Sequence, residues 1–173
     1  VFGNPTSNMY RSDLVRRDKE FYPNQTAEAD ISAIYKTLRQ SDFGFVHQVL
    51  SYERLHEVRI TTTSENLNAY LSSELGDLLE YGPYYLTKEE LEHRLDEMLD
   101  HYYEFLAISA VNFRKADFWE FHRKRLKELG HPMNSFKLTG AVLRKLTDMA
   151  LNPKKTVESA FRRMNGSQAD PRN

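Results

Sequence analysis

Between Leu67 and Pro132 the apolar residues recur at helical spacing, and the signals that start and stop helices divide the run into segments. Leu67, Tyr70, Leu71, Leu75, Leu78 and Leu79 form one stripe, which Gly82-Pro83 is expected to end. Thr87 and Glu90 then have the spacing of a capping box, and Leu86 and Leu91 have the spacing of a hydrophobic staple around it. Behind them Leu91, Leu95, Met98, Tyr102 and Phe105 stripe a long helix that runs to about Asn112. A further helix is predicted over 116–129, stopped by Gly130-His131-Pro132, and two shorter ones over 136–150 and 153–164. Residues 61–165 therefore read as a helical C-terminal region, and 166–173 as a disordered tail.

The first sixty residues read differently. Gly3 and Pro5 punctuate residues 2–17, and FYPNQ at 21–25 is a loop. Ile31, Ile34, Tyr35 and Leu38 mark an amphipathic helix that starts between Thr26 and Asp30. FGFVHQVLSY at 43–52, rich in aromatic and branched side chains, is expected to be a buried strand. The expected class is α+β, helix-rich, with a few short N-terminal strands and a helical extension. At 173 residues with ten Phe and ten Tyr the chain can bury a core as one domain. With no cysteine there is no disulfide framework and no thiolate metal site, which suits a reducing, cytoplasmic compartment. No apolar run approaches the roughly 18 residues of a membrane span, and no signal peptide is visible. The chain opens on Val1 rather than Met and reads as a piece of something longer.

Charge divides the chain. Residues 1–113 carry 10 Lys+Arg against 19 Asp+Glu, and residues 114–173 carry 14 against 6. The balance is thus −9 in the first part and +8 in the second. Solvated helix faces account for this; so does a basic end that sits on an anionic surface, a lipid headgroup layer or an acidic partner domain, with peripheral placement at a membrane. Nucleic acid is not an expected partner, because the basic residues show no interleaved aromatic pattern and no nucleic-acid motif is present.

Four residues have types and places suited to chemistry. Asp30 lies in the first turn of its helix, where the dipole and free amides favour a carboxylate; it can cap the helix, or serve as a general base. Gln48, Arg54 and His56 follow at the end of the expected strand, where Arg and His can grip phosphate and a neutral His can hold a metal. Glu90-x-x-His93 and His101-x-x-Glu104 have di-iron spacing but lie on one helix, so they read as solvent-exposed. Trp119, with Phe118 and Phe121, reads as core before it reads as a sugar-stacking platform.

Taken in order, GNPTSNMYRSDLV, FYPN, AEAD and SDFGFVHQVLSYERLH resemble the acceptor-side half of a family 2 glycosyltransferase of the GT-A type. The resemblance covers about 1–60 and loosens through the helices to about 130. It places Arg11 on an Arg-bearing strand, Phe21-Tyr22-Pro23 in a loop, and Asp30 as the second acid of a pair that opens a helix. It implies an inverting transfer of a sugar from a nucleotide-sugar donor to an acceptor hydroxyl, with Asp30 as catalytic base. Arg11, Gln48, Arg54 and His56 would line the donor diphosphate or the acceptor, with His56 a candidate metal ligand and Mn²⁺ or Mg²⁺ as the implied cofactor. Ala29 stands where the first acid of the pair is expected, with Glu28 one place early, and neither Gln-x-x-Arg-Trp nor Asp-x-Asp is present. The chain therefore reads as lacking the nucleotide-binding half, its expected partner, and as inactive alone. The alternative is a non-catalytic helical interaction module.

Overall fold

The computed structural model describes residues 7–22, 28–50 and 67–152. Among the described residues the helices are, in chain order, α1 Ser12–Arg17, α2 Ala29–Leu38, α3 Tyr70–Tyr85, α4 Lys88–Val111, α5 Ala116–Glu128 and α6 Ser135–Leu151. The expected α+β class is overturned, because no β-strand occurs among the described residues. Arg11 is the N-cap of α1 and not part of a strand. Residues 42–50 have no regular structure, and Phe43, Phe45, Val46, Val49 and Leu50 are all exposed instead of buried. The physical reason is that β structure needs a neighbouring strand to pair its amides and carbonyls, and none of the described residues supplies one. Apolar, β-branched composition marks a segment that fits a sheet; it does not create the sheet.

The helix boundaries follow the sequence signals closely, with one exception. α3 does not stop at Gly82-Pro83 but includes Pro83 and runs to Tyr85, where Leu86 turns extended and its N–H bonds the Gly82 carbonyl at 2.9 Å. Proline in the last turn removes only one helical hydrogen bond, so the stop comes later than the residue itself. The capping box forms as the spacing predicts. The Thr87 N–H and hydroxyl both donate to Glu90 Oε2, at 2.8 and 2.9 Å, and the Glu90 N–H donates to Thr87 Oγ1 at 3.3 Å. The helix predicted over 153–164 and the tail at 166–173 lie outside the described residues.

The chain divides into two units, and the boundary falls within α4. Unit 1 is Val1–Leu99 with Ala116–Pro132. Its core comes from α2 (Ala33, Ile34), α3 (Leu71, Leu75, Tyr81) and α5 (Phe118, Leu126). α3 packs against both α2 and α5. Tyr35 and Tyr81 meet across the first contact with ring centroids 5.8 Å apart, and the Tyr85 hydroxyl donates to the Tyr35 carbonyl at 2.6 Å. On α5, buried His122 places Nε2 2.8 Å from the Leu67 carbonyl, next to the Phe118 ring. Phe118 is thus core, as expected, and Trp119 abuts it edge-on at 5.3 Å. Unit 2 is Asp100–Lys115 with Met133–Asn173. Tyr102, Tyr103, Leu106 and Ala107 of α4 and Ala141 of α6 are its buried apolar side chains. Asn134 caps α6, its Oδ1 accepting from the amides of Phe136 and Lys137, while its own N–H donates to the Tyr103 hydroxyl at 2.7 Å.

Candidate functional site: a groove beside an acid cluster

Unit 1 contains a groove of about 690 Å³. Its walls are the segment before α1, one face of α2 and the irregular run 41–50. Apolar Leu14, Ile34, Leu38, Phe45 and Val46 line it, and polar residues, Tyr10, Arg11, Asp42 and Gln48 among them, are about half of the residues in its wall. Clefts that combine apolar wall with polar groups are common in small-molecule sites. Two of the sequence-predicted site residues, Arg11 and Gln48, therefore face one groove despite their separation along the chain.

Asp30 does not line the groove, but its charge reaches Tyr10 in the groove wall. Tyr10 has its hydroxyl pushed up to about 12 by burial first, then by Tyr22 and Asp30. The Tyr10 Oη atom is buried and has no hydrogen-bond partner. Its ring is held edge-on by Phe21 at 4.9 Å. Asp30 occupies the first turn of α2, as the sequence predicts. Arg54 and His56 fall outside the described residues. Arg11 is not free to meet an anion as it stands: its Nε and Nη2 both donate to Asp13 at 3.1 Å, and Arg17 reaches the same carboxylate at 2.9 Å. Some burial works against the Asp13 anion, but these two guanidinium groups outweigh it and hold the carboxyl below its usual range.

Around the start of α2 lies a cluster of carboxylates that sequence reasoning missed. Glu28, half-buried at the N-cap, is raised to about 7 by burial and by the charges of Glu74, Asp77 and Asp30. Asp77 of α3 is 7% exposed. Ser32 Oγ donates to its Oδ1 at 2.6 Å, while Oδ2 is buried and unpartnered. Burial raises this carboxyl to about 6, with Glu80, Glu74 and Asp30 adding to the rise and the Ser32 bond opposing it. Both acids thus titrate near neutral pH, where a proton acceptor is most useful. Glu28 was visible in the sequence only as an acid out of register. Asp77 had a better signal, a carboxylate set between Leu75 and Leu78 in an apolar stripe.

No group of three His, Asp or Glu side chains suited to a metal ion occurs among the described residues. The Mn²⁺ or Mg²⁺ that the resemblance implies would need ligands from elsewhere. His93, His101, Glu90 and Glu104 are all exposed, which agrees with their reading as solvated polarity. Among the described residues no helix is long and apolar enough to cross a membrane. Set beside models of known protein families, curated proteins and solved structures, the chain matches none.

Proposed function

We propose that this chain is the acceptor-side part of an inverting glycosyltransferase, which acts with a nucleotide-binding half to move a sugar from a nucleotide-sugar donor to an acceptor hydroxyl. The observation that carries the reading is the convergence on one groove. Arg11 and Gln48 line it, and Asp30 is near enough to Tyr10 in its wall to disfavour ionisation of the Tyr10 hydroxyl. In this reading Asp30 takes the proton from the acceptor hydroxyl as that oxygen attacks the anomeric carbon in line. The bond from that carbon to the diphosphate breaks with its electron pair on the leaving oxygen, and the anomeric configuration inverts. Negative charge builds on the diphosphate, so a cation placed there lowers the barrier. Arg11 would supply one by exchanging Asp13 for a phosphate, a swap between two oxyanions that guanidinium fits equally well. Arg54 and His56 join it by resemblance alone, and no step here runs through a metal. Glu28, raised to about 7, is the second acid beside Asp30 and would hold or return a proton between turnovers.

The test is sugar transfer by the chain together with its nucleotide-binding half. Asp30→Asn is expected to lower kcat by about 10²–10⁴-fold while helix content is retained. Unchanged turnover in that variant, or a product of retained configuration, overturns the assignment. The chain alone is expected to transfer no sugar.

A non-catalytic helical interaction module is the second reading, favoured by the all-helical architecture of the described residues and by the apolar side chains in the open at 43–50. Under it Asp30→Asn costs only a few tenths of a kcal/mol to about 1 kcal/mol of helix stability.

A further inference from the structure

Unit 2 carries an apolar surface apart from the buried side chains of its described residues. Along α6, Phe136 is 92% exposed, and Leu143, Leu146 and Leu151 are exposed with it. Phe136, Gly140, Leu143, Thr147 and Leu151 follow steps of three and four residues, so they share one helix face. A Cβ built on Gly140 would meet nothing within 4 Å, which agrees with an open face. Ala141, the buried residue of α6, lies off this stripe. Lys137 and Arg144 each follow an apolar residue of the stripe and so border it on one side, and both are exposed. Asp148 is on that same border, with its Oδ1 accepting from Asn152.

A second feature of the same unit points the same way. α4 ends in a Schellman motif, with Arg114 N–H on the Ser109 carbonyl and Phe113 N–H on the Ala110 carbonyl. Its left-handed residue is Phe113, at φ 53°, and the side chain is 92% exposed. α5 ends in the same motif with Gly130 at φ 79° in that place. A glycine site has been filled by an aromatic that makes no core, and exposed Arg114 and Lys115 follow it directly.

We infer that α6, with its apolar stripe bordered by Lys137 and Arg144, docks on the surface of an anionic lipid bilayer, with Phe113-Arg114-Lys115 as a second anchor. A lone helix face suits this occupant. From Phe136 to Leu151 the stripe is about 22 Å long and about 10 Å wide. That is far below the roughly 800 Å² per partner that a stable protein interface buries. A bilayer needs no matching shape: it takes up isolated Phe and Leu side chains, and its anionic headgroups complement Lys137 and Arg144 at the stripe and Arg114 and Lys115 beside Phe113.

The experiment is co-sedimentation of the chain with vesicles, and it reads nothing of sugar transfer, so its failure and that of the transferase reading are separate. The chain is expected to sediment with phosphatidylcholine–phosphatidylglycerol vesicles at low salt, less with phosphatidylcholine alone, and less again as salt is raised. The pair Phe136→Ser and Leu143→Ser should lower partition about tenfold or more, and Lys137→Glu with Arg144→Glu should lower it on anionic vesicles. All four side chains are exposed, so far-UV circular dichroism should be unchanged. Three outcomes overturn the inference: no sedimentation with anionic vesicles at low salt, full sedimentation of the serine pair, or self-association that the serine pair abolishes. Binding to polyglutamate without binding to vesicles likewise overturns it and makes the occupant an acidic polypeptide.

Discussion

At the residue scale, Asp77 decides how stability depends on pH. Its carboxyl is nearly enclosed, and the Ser32 hydroxyl occupies Oδ1, so the neutral acid carries its proton on Oδ2. A carboxyl raised in the folded state from 3.8 to about 6 is protonated there while the unfolded chain has already ionised. Below pH 3.8 both states are protonated and nothing is lost. Between there and about 6 the folded state binds more protons, so stability falls as pH rises, by on the order of 2–3 kcal/mol in all. Glu28 extends the fall towards pH 7 in the same direction. Asp77→Asn keeps an acceptor for Ser32 and carries no charge at any pH. Denaturant unfolding should find the variant more stable than the parent at pH 8 and equal to it near pH 4. A constant difference across that range would mean that Asp77 does not titrate as its surroundings imply.

Single residues also set how well the helices end. Asn134 satisfies two orphan amides of α6, so Asn134→Ala should cost about 1 kcal/mol in thermal or chemical unfolding. Phe113 holds a left-handed conformation that costs a non-glycine residue roughly 1–2 kcal/mol. Phe113→Gly relieves that strain and removes no core contact, and the greater backbone freedom of glycine in the unfolded chain offsets part of the gain. The expected net is a slight rise in Tm together with weaker vesicle binding. A variant that gained stability and bound vesicles as before would remove Phe113 from the docking surface. At this scale the sequence was informative. The Thr87–Glu90 box, the ends of α4 and α5 and the start of α2 came from local signals: caps, stripes and glycine act within a few residues of themselves, so they can be read from the sequence. Pro83 misled because a proline in the final turn is tolerated.

For the whole molecule, residues 43–50 matter most. A run of large apolar side chains in the open is an interaction surface or a liability. Either reading gives it a partner: another protein if the chain is an interaction module, the nucleotide-binding half if it is part of a transferase. Hydroxyl-radical footprinting should therefore find Phe43 and Phe45 reactive in the chain alone and protected when that half is present. Reactivity that does not change would separate these residues from the partner surface.

Local chemistry in the sequence determined where most of the helices begin and end and that Asp30 opens α2, but not the buried face of α4, where Tyr103, Leu106 and Ala107 are buried beside Tyr102 while Leu91, Leu95, Met98 and Phe105 of the expected stripe are only half-buried. Only the tertiary structure decided the rest. Whether 43–50 forms a strand depends on a neighbour that the segment cannot provide for itself. Arg11 and Gln48 share a groove because α1, α2 and the 41–50 run come together, and neither residue's surroundings in the sequence imply the other. Glu28 and Asp77 owe their raised protonation to burial and to the charges of carboxylates that α2 and α3 bring together, Glu74 and Asp30 for both, a three-dimensional property absent from any window of sequence. Helix formation is written over three or four residues, while sites, sheets and shifted acids depend on residues that meet only when the chain has folded.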